Sequence, residues 1–448
     1  GALVYSQGEA DYNSYWFPCH DYPNDKLTTE ITVTVDSAYD VVSNGRLVDK
    51  KPSAPADPKR MTGDAAPDGG PVASMPPAAR TTWHWTQDKP HATYLVMLAV
   101  GKFDVVDVNE GRPGVPMPVY GPRGTAETLR KNFKHTPDMV KHFEELFDEP
   151  YPWDKYAQVI VRNFRWGGME NTSATTLAEY AVGDGAEGEQ DDLISHELCH
   201  QWFGDLITCR SWDHLWLNEG WATYGEWLWN GRRHGEDAYY RGARQALGIL
   251  RLTATRSTPE TPAVVSRFYH HPDDNFTKAE DPYKRGGFFI HMLRERLGDD
   301  VFWKGVRLYI DRNKFQSVET VDFRKAMEEV SGQSLERFFE QWLYRPGMPT
   351  LKVTTRYEDS SRKMTVTVEQ TQTIDATRPA YALRLPVYCE FPAEEGKDQP
   401  KGRWLYIDTD ATSATETFDL PGKPNRVHID PNATLLAKIN EQKASDGE

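Results

Sequence analysis

Cysteine is scarce. The 448 residues hold four, Cys19, Cys199, Cys209 and Cys389, with no CxxC pair among them. That is too few for a disulfide framework and the wrong spacing for thiolate metal sites, so reduced thiols are expected. Long apolar runs are also missing. Ala92 to Gly101, the longest, is ten residues, about half of what a bilayer crossing needs, so no membrane segment is expected. Positive charge is in deficit: 52 Lys and Arg face 67 Asp and Glu, a net charge of −15. Such a surface repels phosphate backbones, so no nucleic-acid partner is expected. There is no repeat of fixed period. Residue 1 is Gly, and GALVYSQGEA has neither a basic nor an apolar signal region. The true beginning is therefore expected upstream, and the compartment stays open, with the cytoplasm the simpler expectation over export.

The chain divides by periodicity. From Leu27 to Gly101 apolar residues alternate, as in Ile31, Val33 and Val35, and Tyr94 to Val100 reads as a buried strand, so an antiparallel sheet is expected. Lys51 to Arg80 interrupts it with seven prolines and no Ile, Leu, Phe, Tyr or Trp. That composition cannot pack a core and predicts an inserted mobile loop. After about Asn109 the period becomes helical. Thr125 to Phe147 reads as two helices broken before Pro137, followed by helices at Asp191–Phe203, Asp213–Trp229, Ala238–Leu252, Gly286–Leu297, Val318–Val330 and Ser334–Trp342. Asp213 is expected to cap its helix, and Gly231 to end it. Beyond Arg345-Pro346-Gly347, short alternating strands predict a β-sandwich.

The segment Ser195 to Gly204, SHELCHQWFG, carries the chemistry. His196 and His200, four apart, leave one helix face a turn apart, as two ligands of a tetrahedral Zn2+ would. Glu197, between them, points to the open coordination position, where a general base belongs. A bare HExxH also fits two surface histidines on an amphipathic helix. Eighteen residues separate His200 from Glu219, in Asn218-Glu219-Gly220 on a second predicted helix, which can close a His2Glu site.

HExxH, eighteen residues and then Glu in NEG resembles the gluzincins of the M1 aminopeptidase family. Gly167-Gly168-Met169-Glu170-Asn171 is similar to the family's GxMEN exopeptidase motif, and Tyr283-Lys284-Arg285-Gly286 to its YxKG segment, with Arg285 where the family usually has Lys. Gln7-Gly8-Glu9 and the Trp16 to Asp21 stretch resemble the end of its first β domain. The resemblance implies a multidomain α+β fold. Residues 1–108 would be the last part of an N-terminal antiparallel β domain, 109–347 a thermolysin-like, mainly helical catalytic domain, and 348–448 a C-terminal β-sandwich. Earlier strands of the first domain and the large C-terminal helical domain of many members would lie outside this sequence.

The resemblance further implies a zinc aminopeptidase with one Zn2+ on His196, His200 and Glu219, and Glu197 as general base. Tyr283 would donate its hydroxyl to the oxyanion. Glu170, helped by Gln7 and Glu9, would bind the free α-ammonium of a peptide. Gly167, Gly168 and Asn171 belong to the same substrate-binding motif, the glycine backbone pairing with extended substrate and Met169 lining the first side-chain pocket. Partners would be peptides with a free N-terminus, in an unknown oligomeric state. Two other readings stay open: a thermolysin-type zinc endopeptidase, which Glu170 argues against, and a noncatalytic scaffold with the same fold.

Overall fold

The computed structural model describes residues 3–54, 79–184, 186–254, 261–277, 280–393 and 400–443. These form two compact units. The first comprises residues 1–212 and 310–319, the second 213–309 and 320–448.

In the first unit β1 (Val4–Tyr5), β2 (Lys26–Asp36), β3 (Asp40–Ser43), β4 (Arg46–Ser53), β5 (Arg80–Ala92) and β6 (Leu98–Gly101) make two antiparallel three-stranded sheets, ordered β2-β5-β4 and β1-β6-β3. This bears out the alternating pattern, with two corrections. Lys51, Pro52 and Ser53 extend β4 instead of opening a loop, pairing with Arg80 to Thr82. The proline is tolerated because β4 is an edge strand. Most of the predicted loop, residues 55–78, lies outside the described residues. Tyr94 to Val100 is not one strand either: Thr93–Leu95 is a 3-10 turn and pairing starts at Leu98. Side-chain amides take the carbonyls that a ladder would use. Asn13 Nδ2 donates to Thr93 O at 2.7 Å and Val96 O at 3.0 Å, and Asn44 Nδ2 donates to Leu95 O at 2.9 Å.

The chain then lays down β7 (Phe103–Asp107), β8 (Pro118–Pro122), α1 (Ala126–Asn132), α2 (Thr136–Phe147), β9 (Ala157–Val161), β10 (Gly168–Met169), β11 (Ala174–Ala178), α3 (Asp191–Cys199) and β12 (Thr208–Cys209). The five-stranded sheet runs β10-β11-β9-β8-β7, mixed parallel and antiparallel, with β10 at its edge. Val159, Val161 and Ala174 of this sheet pack with Val42, Met97 and Phe103 in one core. The break before Pro137 is present, the proline sitting in the first turn of α2. Helix α3 stops at Cys199, short of the predicted Phe203. Gln201 N–H and Trp202 N–H bond back three residues, and the chain leaves through Gly204 at φ +133°.

The second unit holds α4 (Trp216–His234), α5 (Glu236–Thr253), α6 (Asp274–Thr277) and α7 (Lys284–Leu297). Helix α8 (Asp299–Asn313), not anticipated from sequence, leads to β13 (Ser317–Val318) of the first unit. The chain returns through α9 (Thr320–Ser331) and α10 (Glu336–Phe339), which continues as one π turn to Tyr344. Asp213 does not cap α4. It sits in a 3-10 turn, its carboxylate takes Arg267 Nε at 3.4 Å, and Leu215 precedes the helix without a capping bond. Nor does Gly231 end α4, which runs to His234 and stops at Gly235, φ +90°.

Strands β14 (Thr350–Glu358), β15 (Lys363–Gln370), β16 (Leu383–Ala393), β17 (Pro400–Thr409), β18 (Ser413–Asp419), β19 (Arg426–Ile429) and β20 (Lys438–Lys443) complete the second unit as two sheets, β18-β15-β14-β20 and β17-β16-β19. Val353, Val366 and Val368 of one sheet, and Leu385, Val387, Leu405 and Ile407 of the other, are buried as the alternation predicts. The sequence reading missed β18, whose solvent-side threonines mask its alternation, and β20. The mixed multidomain α+β class stands as expected.

Candidate functional site

Helix α3 presents both histidines as the i, i+4 spacing requires, their ring centroids 4.9 Å apart. His200 Nδ1 lies 3.0 Å from the Phe203 carbonyl. A carbonyl only accepts, so Nδ1 carries the proton and Nε2 keeps its lone pair outward, the tautomer a metal ligand needs. The turn that ends α3 early is what delivers that carbonyl.

Glu197 is buried on α3, and ligand-capable atoms of Glu170, Glu197 and His200 all lie within 4.8 Å of one another. Two carboxylates and an imidazole thus converge in the first unit. Gly168 explains how the Glu197 side chain fits. A Cβ there would stand 2.1 Å from Glu197 Oε1, so only glycine leaves space for the carboxylate. Gly167 is constrained too, since a Cβ would meet the Tyr180 hydroxyl at 2.6 Å. As an edge strand, β10 keeps one row of backbone groups of Gly168 and Met169 clear of β11.

Glu170 is 3% exposed, and the buried Tyr94 hydroxyl lies 3.5 Å from its Oε1. Burial, then the nearby Glu170 charge, raises the Tyr94 pKa well above its ordinary value, so the phenol stays a proton donor. Gln7 Nε2 reaches Met169 Sδ at 3.3 Å, bringing the N-terminal segment onto this motif; Glu9 belongs to the same segment and is part-buried. Asn171 is fully buried, its side-chain oxygen accepting from Thr176 Oγ1 at 2.8 Å and its backbone carbonyl from Ala174 N–H. It shapes the turn after Glu170.

Sequence reasoning missed the residues that hold this turn. Gln201 Nε2 donates to the Glu170 carbonyl at 3.0 Å, while Gln201 Oε1 accepts from Ser173 N–H at 2.9 Å and Tyr151 Oη at 3.1 Å. Asn44 Nδ2 donates to Thr172 O at 2.8 Å and Gly45 N–H to Ser173 Oγ at 2.7 Å, so the β3–β4 turn grips the same segment. Buried Lys155 Nζ bonds Ser43 O at 2.8 Å; desolvation lowers its pKa to about 7. The adjacency of Gln201 to His200 was the one available signal. The other contacts join residues more than a hundred positions apart.

In the second unit, Glu219 is buried in the first turn of α4, and Tyr283 is the residue before α7. A Cβ on Gly220 would stand 2.8 Å from Gly286 Cα. The glycines of NEG and YKRGG therefore let α4 and α7 touch backbone to backbone, fixing Glu219 one residue and Tyr283 one turn from the contact. Arg285 is buried as a brace. Its guanidinium pairs with Glu280 at 2.7 Å and donates to the carbonyls of Trp342 and Arg345, both at 3.1 Å. Arginine's fork fits those three acceptors, which a lysine would not span.

The model of the Peptidase family M1 domain matches residues 131–342, and that of the Peptidase M1 N-terminal domain matches residues 1–59. The puromycin-sensitive aminopeptidase of Caenorhabditis elegans is 28% identical over 379 residues, covering 81% of this chain and 37% of that protein. Glutamyl aminopeptidase of Homo sapiens is 29% identical over 353 residues, covering 75% and 33%. The chain thus spans about a third of the length of the curated relatives it matches. The crystal structure of Legionella pneumophila aminopeptidase A in complex with aspartic acid superposes with a TM-score of 0.74 at 17% identity, over 99% of this chain and 48% of that one. That likeness shows a shared fold. With two models of one family matched in order along the sequence, the chain belongs to peptidase family M1.

Proposed function

We propose that the protein is a zinc aminopeptidase that removes N-terminal residues from peptides. The observation that carries this is the convergence of Glu170 with Glu197 and His200 in one buried cluster. A carboxylate set there binds a cationic terminus beside the hydrolytic base, which an endopeptidase does not need.

The metal would be held by His196, His200 and Glu219, two imidazoles and a carboxylate offering one ligand atom each. The His200 tautomer fits that task. Zinc when bound supplies a Lewis acid that makes water nucleophilic near neutral pH. The chain's own groups do the rest. Glu197 takes the proton of the attacking water and hands it to the departing amine. The Tyr283 hydroxyl donates to the substrate oxygen as negative charge grows there. Glu170, with Gln7 and Glu9, fixes the α-ammonium, Met169 faces the first side chain, and the edge of Gly167 and Gly168, held by the Asn171 turn, aligns the substrate backbone.

Domain limits near 108/109 and 347/348 fit this reading, with the β-sandwich following the catalytic helices. Among the described residues no helix is long and apolar enough to cross a membrane. The four free thiols favour a reducing compartment.

Metal analysis and product analysis test the proposal. The purified chain should hold one zinc, lost in His196→Ala, His200→Ala and Glu219→Ala. A decapeptide should shorten stepwise from its N-terminus by mass spectrometry. Internal fragments at early times would mean an endopeptidase, and an intact peptide with full zinc a scaffold.

A further inference from the structure

A cavity of about 440 Å³ opens within the second unit, away from Glu219 and Tyr283 in sequence and walled by α7, the helix end at Phe338 and Trp342, strands β16 and β17, and the segment from Asn432 to Leu435. We propose that it binds a small carboxylate whose body is a flat apolar ring. Its volume suits a molecule of that size.

The cationic half of the site is Arg296 of α7 and Arg384 of β16, both lining the cavity. Each guanidinium lies over an aromatic ring that also lines it, Arg296 5.4 Å from the Phe338 centroid and Arg384 4.3 Å from that of Tyr406. The rings orient the guanidinium planes but leave their charge unneutralised. Arg384 has one weak carboxylate neighbour, Asp408 at 3.9 Å, with both side chains more than half exposed. Burial lowers the Arg296 pKa; the attraction of Asp408 opposes this, and the smaller repulsion of Arg384 adds to it. Glu295, the acid on the cavity wall, accepts from Tyr240 Oη at 3.2 Å. Two like charges thus face one space, and a bidentate carboxylate relieves that repulsion.

The apolar half comes from strand register. Pro386 pairs with Tyr406, and Tyr388 pairs with both Trp404 and His428, so aromatic side chains line up on the outer face of this sheet. Trp404 and Tyr406 are stacked at 18° with centroids 6.4 Å apart, and they remain 38% and 41% exposed. Flat rings left wet beside two guanidinium groups, of which Arg384 has only the weak, exposed pairing with Asp408 among the described residues, offer a planar ligand a surface to stack on. Phosphate alone would use the arginines and leave that surface bare.

The inference stands apart from the peptidase reading and is tested on the full, zinc-loaded chain by calorimetric titration with 2-naphthoate. Saturable binding is expected. It should weaken about tenfold or more in Arg296→Met and Arg384→Met, the scale of one lost charge-assisted contact, and also in Trp404→Ala. Because these side chains reach solvent, melting temperature should stay near that of the parent. Naphthalene-2-carboxamide, acetate and inorganic phosphate should each bind at least about tenfold more weakly. Absence of saturable binding would overturn the proposal, as would equal affinity for any of the three controls or affinities unchanged in the variants. Loss of binding after chelation of the zinc would place the naphthoate at the metal and equally overturn it.

Discussion

Gln201 and Glu170 are joined by a 3.0 Å hydrogen bond from the side-chain amide of the first to the backbone carbonyl of the second. The residue next to His200, the proposed metal ligand, thereby sets the height of the proposed ammonium-binding carboxylate. Gln201→Met keeps the side-chain length but leaves the Glu170 carbonyl, Ser173 N–H and Tyr151 hydroxyl without this partner. The expected cost is roughly 1–3 kcal/mol of stability, with zinc content unchanged and KM for free-amine substrates raised about tenfold. Gln201→Glu keeps both acceptor contacts but sets a fully buried carboxylate oxygen against the Glu170 carbonyl, so it should lose at least as much stability as Gln201→Met, with KM also raised. Steady-state kinetics beside thermal melts check this.

Gly168→Ala places a methyl where Glu197 Oε1 stands. That methyl would also stand 2.7 Å from Glu197 Cγ, so the whole buried side chain must shift and the melting temperature should fall by a few degrees. Displacement of the base should lower kcat by at least about tenfold. Unchanged kcat would show that Glu197 works from another position.

Glu197→Gln removes the base and keeps the shape. Zinc should stay stoichiometric while kcat falls by orders of magnitude, roughly 10²–10⁴-fold. Retained activity would contradict the assignment.

His291 predicts an acid limit to stability. Its Nε2 donates to the Ala433 carbonyl at 3.1 Å and its Nδ1 accepts from Tyr239 Oη at 2.8 Å, so the neutral ring is satisfied. Burial lowers its pKa to about 4, as it does for His91. The unfolded chain binds these protons below about pH 6.5, whereas the native state refuses them until about pH 4. Stability is therefore full above pH 6.5 and falls as pH drops towards 4. Asp430, raised by burial to about 7, acts in the opposite sense. The test is therefore the difference between parent and His291→Gln, whose unfolding free energies should converge by about 3 kcal/mol between pH 7 and pH 4. A gap independent of pH would show that His291 is protonated in the native state.

The sequence made the chemistry more legible than the scaffold around it. HELCH and NEG could be read because a helix repeats every 3.6 residues, so ligand spacing is written in local order. The glycines of GGMEN and YKRGG were visible as motif, but their reasons were not. Gly168 yields space to Glu197 across the fold, and Gly220 meets Gly286 across two helices. The 3-10 turn at Thr93–Leu95 was hidden because burial alone makes any apolar run resemble a strand. Asn44 and Lys155 looked like ordinary polar residues, since what they bind lies more than a hundred positions away along the chain.

The most direct measurement is hydrolysis of aminoacyl chromogenic amides, each free and N-acetylated, before and after chelation and with zinc added back. The account predicts cleavage of the free-amine substrates alone, abolished by chelator, restored by zinc, and reduced in Glu170→Ala. Equal cleavage of the N-acetylated substrates, or activity that survives complete removal of zinc, would contradict it.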